Sequence, residues 1–372
     1  MLLKKGDEPA VAFGRKQGLN EIRSYKIGDI SSTLFHVLMT RVFDMHGLFS
    51  KKATRGLLDY IDDFKPDIVH LHNLHGYYLN LKLLFEYIAK KQIKVVWTLH
   101  DCWALTGHCS HFEYVQCDKW QNECYKCPQK SEYPKCFLFD ISKKNYIFKK
   151  VLFTLPKDMI IITPSEWLKK IVKKSYLSKY EVKTINTGID LKMFKKTDSD
   201  FKTVLGLKDK KVVLGVASPF TYKKGLNDFI KLSTLIDKRY KIVLAGLSEK
   251  QINKLPKNIL GLKRIENAKE MAKLYSMSDI FLNPTKEDTF PTTILEALAC
   301  GTPVITYDVG GCSEAVDNEC GLLVKSNNID GLLDAIKKVE KNSLSESDCI
   351  NKAKDYNKEK QVLKTYDVYN LV

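Results

Sequence analysis

Two acidic residues, Asp288 and Glu296, flank a short turn in the stretch DTFPTTILEALACGTPVITYDVGG, residues 288–311. Pro291 suits the start of a helix, because the N–H it lacks would have no partner there. The free N–H groups at the start of such a helix, near Thr292, form a good phosphate site. A carboxylate one turn further on, such as Glu296, can accept hydrogen bonds from two adjacent sugar hydroxyls. The stretch thus favours a sugar-phosphate site, although an acidic loop before an ordinary amphipathic helix has the same spacing.

The elements that would position these residues alternate between apolar runs and helical stretches. Uninterrupted Val and Ile runs are typical of parallel strands that are buried on both faces. Residues 226–236 carry apolar side chains at helical spacing. Repeated strand–helix alternation predicts an α/β fold with doubly wound parallel sheets. The predicted strands are 9–14, 66–73, 93–101, 158–165, 181–188, 211–219, 240–248, 279–285 and 301–308.

The chain divides at a polar, lysine-rich segment, residues 188–210, and 372 residues are enough for two domains. Two α/β domains would place the ligand in the cleft between them. The first would begin with the end of a helix and the strand 9–14, without an earlier strand and Gly-rich loop. The predicted parts are an N-terminal domain 1–190 with a Cys-rich insertion 102–136, a C-terminal domain 191–350, and a helix 351–372 that packs back on the first domain.

The charge balance is strongly positive, since 60 Lys and Arg against 44 Asp and Glu give +16. Such a charge favours anionic partners, although a lysine-rich proteome has the same effect. No nucleic-acid module is recognisable, so nucleic acid is not an expected partner. The N-terminus lacks the apolar stretch of a signal peptide, and no apolar run is long enough to span a membrane, which predicts a cytoplasmic protein. Basic stretches at 13–16, 143–150 and 169–174 are candidates for an anionic inner membrane face, and solvated helix faces explain them equally well.

Cysteines crowd into residues 107–130, GHCSHFEYVQCDKWQNECYKCPQK. The last two are spaced as Cys-x-x-Cys, a common half-site for zinc, and four thiolates suit a closed structural site. His108 and His111 are alternative ligands, and a loop with free thiols is the alternative without metal. The predicted zinc ligands are Cys109, Cys117, Cys124 and Cys127.

Histidines lie at the end of the predicted strand 66–73 and in the loop after it, in the sequence VHLHNLHGYY. Alternation places His70 and His72 on the same face of the strand, and His70 is predicted to be a hydrogen-bonded core histidine. The candidates for contact with an acceptor molecule are His72, Asn73, His75 and Asp101.

The segment 287–316, EDTFPTTILEALACGTPVITYDVGGCSEAV, resembles the donor-binding signature of glycosyltransferase family 4. The resemblance covers nearly the whole chain and includes NTGIDLKMF (186–194), KKGLNDFI (223–230) and TLHD (98–101). HNLHGYY (72–78) and TLHDCWALTGHC (98–109) are similar to bacterial polysaccharide transferases of this family. The resemblance implies the GT-B fold, with two Rossmann-like domains that face a cleft, and a retaining enzyme that needs no catalytic metal.

Residue roles follow from this resemblance alone. It implies that Glu296 binds the ribose of a UDP- or GDP-sugar, that Asp288 stands beside the sugar, and that Lys224 neutralises the leaving diphosphate. It also implies that His100 contacts the donor sugar and that the acceptor is a lipid-linked oligosaccharide of a capsule, exopolysaccharide or O-antigen. Backbone amides that would hold the diphosphate belong to Thr292, Thr293, Ile294 and Leu295.

The sequence departs from the family pattern at several positions. Asp288 replaces the usual Glu, with Glu287 beside it as a substitute, and Thr289-Phe290-Pro291 replaces Gly-Phe-Gly. Pro219 stands where the family has Arg, and Lys223 is the candidate for that missing charge, although Lys does not reproduce a bidentate Arg contact. The alternative function is a truncated or catalytically impaired homologue that binds sugar nucleotides.

Overall fold

The computed structural model describes residues 2–15, 21–342 and 344–372, and these form two compact units. The first unit contains the described residues up to Ile185 together with Val362–Val372, and the second contains Asn186–Gln361. No helix in the described residues is both long and apolar enough to cross a membrane.

The second unit is built on a six-stranded parallel sheet with the strand order β12-β11-β10-β7-β8-β9. The chain starts at the centre, builds outward to one edge, and then returns to build the other side. This doubly wound arrangement explains the uninterrupted apolar strands, because helices cover both faces of the sheet. Its strands are β7 (Lys211–Val216), β8 (Tyr240–Ala245), β9 (Ile259–Leu262), β10 (Ile280–Asn283), β11 (Val304–Tyr307) and β12 (Gly321–Val324).

Of the helices described in the second unit, four lie between successive strands, one precedes β7 and three follow β12. They are α7 (Phe201–Val204), α8 (Leu226–Leu235), α9 (Glu249–Ile252), α10 (Ala268–Ser276), α11 (Thr292–Ala299), α12 (Ile329–Asn342), α13 (Glu346–Lys354) and α14 (Lys358–Tyr369), whose last residues belong to the first unit.

The first unit contains a four-stranded parallel sheet in the order β3-β4-β5-β6 and a separate two-stranded parallel sheet, β1-β2. Its strands are β1 (Ala10–Phe13), β2 (Arg23–Lys26), β3 (Ile68–Leu71), β4 (Lys94–Thr98), β5 (Met159–Thr163) and β6 (Glu181–Thr184). Its helices are α1 (Leu2–Lys5), α2 (Ile30–Phe43), α3 (Lys51–Phe64), α4 (Leu81–Lys91), α5 (Ser142–Phe153) and α6 (Glu166–Lys173).

Alternation along β4 shows which helices cover which face of the four-stranded sheet. Val95 and Trp97 pack in one apolar cluster with Leu57 of α3, while Val96 packs in a second cluster with Val368 of α14. Because successive strand residues point to opposite faces, α3 and the end of α14 lie on opposite sides of this sheet.

The predicted α/β fold with parallel sheets is confirmed, and each predicted strand contains an observed one. The sequence reasoning missed β2, β9 and β12. The residues of β2, RSYK, are mostly polar and exposed, and β9 and β12 each have a glycine among only four residues, so none shows a clear apolar run.

Candidate functional site

The predicted donor residues of the second unit lie at the point where its sheet changes direction. The strands β7 and β10 are neighbours in the sheet, but the chain builds away from them on opposite sides. The loops after these two strands therefore part and leave a crevice, which is where open α/β sheets bind ligands. Lys223 and Lys224 lie in the loop after β7, and Glu287 and Asp288 lie in the loop after β10.

Two ion pairs join these loops. Lys224 Nζ lies 2.6 Å from Asp288 Oδ2, and Lys223 Nζ lies 2.6 Å from Glu287 Oε1. The Lys223 and Glu287 side chains are only 12% and 6% exposed, whereas those of Lys224 and Asp288 are 38% and 19% exposed. The buried pair therefore holds the loops together, and the more open pair presents a cation and a carboxylate at the crevice.

Backbone contacts fix the same loops. The amide of Lys286 donates to the Lys223 carbonyl at 2.8 Å, and the amide of Gly311 donates to the Asp288 carbonyl at 3.1 Å. Gly225, which precedes α8, has φ +78°, and a Cβ at this position would lie 2.5 Å from Pro284. Only glycine allows the loops after β7 and β10 to approach this closely.

Asp288 stabilises the positive charge of Lys224, although partial burial opposes that charge. Burial works to lower the pKa of this amine, but the Asp288 carboxylate outweighs burial, so the net shift of the pKa is upward. Lys224 is therefore positively charged at neutral pH.

Glu296 lies on α11, and its carboxylate is held in place from two sides. Tyr275, a fully buried residue of α10, donates its hydroxyl to Glu296 Oε2 at 2.8 Å, and the Thr292 side chain also hydrogen-bonds to Glu296. Burial raises the pKa of Glu296, although both hydrogen bonds oppose this shift. The pattern of apolar spacing gave no signal for Tyr275, because its ring packs in the core like any other aromatic residue.

The predicted diphosphate amides occupy the first turn of α11, which begins at Thr292. Thr292 is exposed and Thr293 is half-buried, but the side chains of Ile294 and Leu295 are fully buried. Ile294 and Leu295 can therefore reach a ligand only through their backbone, and the Ile294 amide already donates to the Pro291 carbonyl at 3.3 Å. The start of α11 and its dipole are oriented as an anion site would require.

The predicted acceptor residues of the first unit form a cluster at the carboxyl ends of β3 and β4. His72 Nδ1 lies 3.0 Å from His100 Nε2, and His75 Nε2 lies 3.0 Å from Asp101 Oδ2. Asn73 joins the cluster through its carbonyl, which accepts the Tyr78 hydroxyl at 2.5 Å.

His72 and His100 are held neutral, because the pKa of each is lowered, first of all by burial. Burial and, to a smaller extent, the neighbouring His100 together lower the pKa of His72 to about 4. His70 is the hydrogen-bonded core histidine that the sequence predicts: it contacts the Thr98 hydroxyl at 2.8 Å and the Tyr369 hydroxyl at 2.7 Å. Burial lowers the pKa of His70 to about 3.

Sequence reasoning missed an aromatic wall beside His75. The Tyr133 hydroxyl lies 3.1 Å from His75 Nδ1, and the ring centres of Trp103 and His75 are 5.0 Å apart. His46 contacts the His75 carbonyl at 2.9 Å. Tyr133 lies 58 residues from His75, and only the folded chain brings them together.

The predicted four-cysteine zinc site is not confirmed. No three His, Cys, Asp or Glu side chains in the described part of the chain are placed to hold a metal ion. The four cysteines line one cavity of about 10 Å³, roughly the lower limit for a single water, together with apolar Phe112 and Trp120. Cys109 and Cys127 hydrogen-bond to each other, which lowers the pKa of Cys127 to about 6, while burial raises the pKa of Cys124 to about 11.

The alternative zinc ligands are held by other contacts in different ways. His108 Nδ1 forms a buried ion pair with Asp44 at 2.5 Å, while His108 Nε2 has no hydrogen-bond partner among the described residues. The backbone carbonyl of His111 accepts from the Gln129 side-chain amide. Spacing of cysteines along a loop predicts that they are near one another, but it does not predict that their sulfurs point to a common centre.

The basic stretches that are candidates for contact with a membrane differ in how far their side chains are buried. Lys149, within 143–150, is buried and donates to the carbonyls of Trp103 and Thr106 at 2.8 and 3.0 Å, so it cannot contact a bilayer. Lys143 pairs with Glu123 on the surface. In the stretch 13–16, Arg15 lies over the Tyr77 ring at 5.5 Å, and Lys16 is outside the described residues.

Two family models match the chain. The model for Glycosyltransferase Family 4 matches residues 3–193, and the model for Glycosyl transferases group 1 matches residues 197–356. The chain belongs to glycosyltransferase family 4.

Relatives support this assignment. WcaC, a glycosyl transferase named for colanic acid biosynthesis in Escherichia coli strain K12, is 25% identical over 273 residues, or 71% of this chain and 65% of its own length. A Campylobacter jejuni relative is 28% identical over 167 residues, or 41% of this chain and 43% of its own length. It is named N,N'-diacetylbacillosaminyl-diphospho-undecaprenol alpha-1,3-N-acetylgalactosaminyltransferase. The chain thus spans less than two thirds of the length of these two relatives.

Solved structures support the fold. HepE of Anabaena in complex with UDP aligns with a TM-score of 0.66 at 15% identity, covering 94% of this chain and 92% of HepE. The fold is therefore GT-B, with two Rossmann-like domains, as the sequence predicts.

Proposed function

We propose that this protein is a glycosyltransferase that transfers a sugar from a UDP- or GDP-sugar to a lipid-linked oligosaccharide, with retention of configuration, in bacterial surface-polysaccharide biosynthesis. Family membership gives the reaction class. WcaC, with its name from colanic acid biosynthesis, and the undecaprenol-linked substrate in the name of the C. jejuni relative support the polysaccharide and the lipid-linked acceptor. HepE, which was solved with UDP, supports the donor class.

The observation that carries the proposal is the Lys224–Asp288 pair at the point where the sheet changes direction. A nucleoside diphosphate develops negative charge as it leaves the sugar, and a fixed cation stabilises that charge. Lys224 supplies the cation, and Asp288 orients it and faces the sugar. The first turn of α11 adds N–H groups for the phosphates, and Glu296 accepts the two ribose hydroxyls.

The acceptor binds in the first unit, beside His72, Asn73, His75 and Asp101, and His100 contacts the donor sugar. Neutral imidazoles and the Trp103 and Tyr133 rings suit a sugar, whose faces are apolar and whose edges carry hydroxyls. In this mechanism the acceptor hydroxyl oxygen bonds to the sugar carbon on the face from which the nucleoside diphosphate leaves, and the leaving phosphate accepts the hydroxyl proton. Neither a side-chain nucleophile nor a side-chain base is then required. Lys224 and the start of α11 carry the leaving-group charge, so EDTA is expected to leave turnover unchanged. We expect the reaction to take place in the cytoplasm, where nucleotide sugars and the inner membrane face meet.

Donor binding and turnover test the proposal directly. UDP-, GDP- and ADP-sugars are titrated by calorimetry, and release of the free nucleoside diphosphate is measured with and without acceptor. Glu296→Gln is expected to weaken donor binding by about 10- to 100-fold, because it removes a charge-assisted hydrogen bond. Glu270→Gln, on the exposed face of α10, is the matched control. Absence of binding to every donor by the folded protein would reject the proposal.

The second candidate is a homologue that binds sugar nucleotides without turning them over. A cavity of about 960 Å³ lies beside the predicted acceptor residues His72 and Asn73, and the open space on this side of the acceptor site favours it. Binding with an intact Glu296 dependence, but without diphosphate release, would support this candidate.

A further inference from the structure

A third ion pair links the loop after β10 to α8, the helix that follows the loop after β7. Lys286 Nζ lies 3.2 Å from Asp228 Oδ2, and Asp228 is in the first turn of α8. The two side chains are only 13% and 6% exposed. The mechanism proposed above does not use this pair, although two charges are costly to bury.

The Asp228 carboxylate and its partner lysine also bind to two further segments. The buried Tyr307 hydroxyl, at the end of β11, donates to Asp228 Oδ2 at 3.1 Å. Lys286 Nζ donates to the side chain of Asn327, in the segment between β12 and α12. These four residues, the Asp228 cluster, therefore link the segments after β7, β10, β11 and β12, all at the carboxyl edge of one parallel sheet.

The third ion pair has the opposite polarity to the other two. In those two pairs, the cation belongs to the loop after β7 and the carboxylate belongs to the loop after β10. In the third pair, Asp228 supplies the carboxylate from the β7 side and Lys286 supplies the cation from the β10 side. A displacement that brought Lys286 towards Lys223 would place two cations together, which costs energy. The order of charges thus favours a single alignment of the two segments.

Backbone hydrogen bonds connect this alignment to the proposed donor residues. The Lys286 amide donates to the carbonyl of Lys223, the residue directly before Lys224. Asp288 follows two residues after Lys286, and its carbonyl accepts from the Gly311 amide in the loop after β11. Misplacement of reacting groups by about 1 Å can slow a reaction by about 100-fold, so the alignment matters for catalysis.

We propose that Asp228 is a positioning residue of the donor site: through Lys286 and Tyr307, it sets the alignment of the segments that carry Lys224 and Asp288. Asp228 acts through these residues and does not itself contact the sugar or the diphosphate. Its effect on catalysis rests on the proposed function, whereas its effect on the alignment does not.

Asp228→Asn tests this role, because it removes the charge but keeps the shape and an acceptor for the Tyr307 hydroxyl. The kcat for diphosphate release is expected to fall by about 30- to 100-fold, with a change in the donor KM of less than about threefold. The reason for this split is that Lys224 acts on charge that develops in the transition state. Both constants are measured at a temperature well below unfolding.

The double variant Asp228→Asn, Lys286→Met separates positioning from stability. Asp228→Asn alone leaves a buried cation without its carboxylate and is expected to lower the midpoint of thermal unfolding. The double variant removes both charges and is expected to recover most of that loss. Its kcat is expected to stay at least about tenfold below that of the wild type, because no ion pair aligns the segments. Recovery of kcat together with stability would show that Asp228 serves only the fold, and would overturn the proposal.

The opposite edge of the same sheet offers a matched control. Glu340 accepts from Lys211 Nζ and from the Tyr240 hydroxyl, both at 2.7 Å, at the amino ends of β7 and β8. Glu340→Gln therefore changes the same combination of lysine, carboxylate and tyrosine at the other end of the strands. It is expected to lower stability and to leave kcat within about twofold of the wild type. Equal losses of kcat in Glu340→Gln and Asp228→Asn would overturn the proposal.

Amide hydrogen exchange tests the alignment without any donor. In Asp228→Asn, the amides of Lys286 and Gly311 are expected to exchange about tenfold faster, while β4 and β5 of the first unit stay unchanged. Unchanged exchange at both amides would overturn the proposal. If exchange rises as expected but the wild-type protein turns over no donor, the alignment by Asp228 is supported and the proposed function fails alone.

Discussion

The two candidate sites of this protein use opposite electrostatic solutions. All eight histidines of the chain lie between His36 and His111, in the first unit, and the second unit has none. The first unit keeps buried and half-buried imidazoles neutral, as the lowered pKa values of His36, His46 and His70 show. The second unit keeps its charges and pairs them, as in Lys223–Glu287 and Lys224–Asp288.

The contrast follows from what each site would bind. A leaving diphosphate is highly charged and requires fixed cations, which stay charged in a protein only when carboxylates compensate the cost of burial. A neutral sugar needs hydrogen bonds and flat apolar surfaces, and neutral imidazoles beside aromatic rings provide both. The comparison predicts that charge removal affects catalysis in the second unit and that acid affects stability in the first.

The largest expected effect is on turnover by Lys224→Met. Removal of one electrostatic contact to the developing charge is expected to lower turnover by about 10²- to 10³-fold, with little loss of stability because Lys224 is partly exposed. Diphosphate release and thermal unfolding are measured together, and Lys250→Met on α9 is the matched control.

Lys223→Met sharpens this test, since it removes the cation nearest to the buried Glu287 carboxylate. Here the free energy of unfolding is expected to fall by about 3 to 5 kcal/mol. If Lys223→Met instead spares stability and abolishes turnover, the assigned roles of the two lysines are reversed.

Gly225→Ala tests the contact between the loops after β7 and β10. The alanine is expected to lower the free energy of unfolding by about 3 kcal/mol, because its Cβ would clash with Pro284 and φ is +78°. Gly206→Ala has a similar φ of +67° but open space around the new Cβ, so it isolates the backbone cost. Equal losses in chemical denaturation would show that the loop contact is unimportant.

As pH falls, the stability of the first unit is expected to decrease before that of the second unit. The unfolded chain binds protons at histidine near pH 6.5, whereas His36 and His72 in the fold do so only near pH 4 and His70 near pH 3. The stability of the first unit therefore falls as pH drops from 6.5 towards 4. His108 opposes this trend. Burial works to lower the pKa of His108, but Asp44 outweighs burial, so the pKa is raised. In the second unit, the hydrogen bond from Lys211 lowers the pKa of Glu340 to about 2, so its contribution is lost only at lower pH.

Hydrogen exchange at pH 7 and pH 5, corrected for intrinsic rates, measures this difference. Openings of β4 and β5 are expected to become about tenfold more frequent at pH 5, with a smaller change in β7 and β8. His70→Gln is expected to flatten the dependence, and His111→Gln is the control. Equal acid sensitivity of both units would contradict the comparison.

The smallest effect is expected from Lys149, a buried lysine of the first unit whose amine donates to backbone carbonyls. Burial lowers its pKa to about 7, below its value of 10.5 in the unfolded chain. The unfolded chain binds more protons between these values, so this group adds stability as pH rises from 7 to about 10. Lys149→Met is expected to cost about 1 to 2 kcal/mol at pH 7, from lost hydrogen bonds to Trp103 and Thr106, and to remove this rise in denaturation experiments.

The sequence by itself determined the α/β class, the positions of most strands and the family. Apolar runs such as Val212–Leu214 are local signals, because a parallel strand buried on both faces needs them at every position. The motif from Glu287 to Val316 carries many ordered positions and named Asp288 and Glu296 as candidates, and the segment 223–230 named Lys224.

Only the tertiary structure decided which partners hold those candidates. Three contacts show this: Tyr275 with Glu296, Tyr133 with His75, and Lys223 with Glu287. The partners in these contacts are 21, 58 and 64 positions apart, respectively. The tertiary structure also left the four-cysteine zinc site unconfirmed, because close spacing in a loop does not by itself aim four sulfurs at one point. Strand order and side-chain direction arise from packing between distant segments, and no local pattern records them.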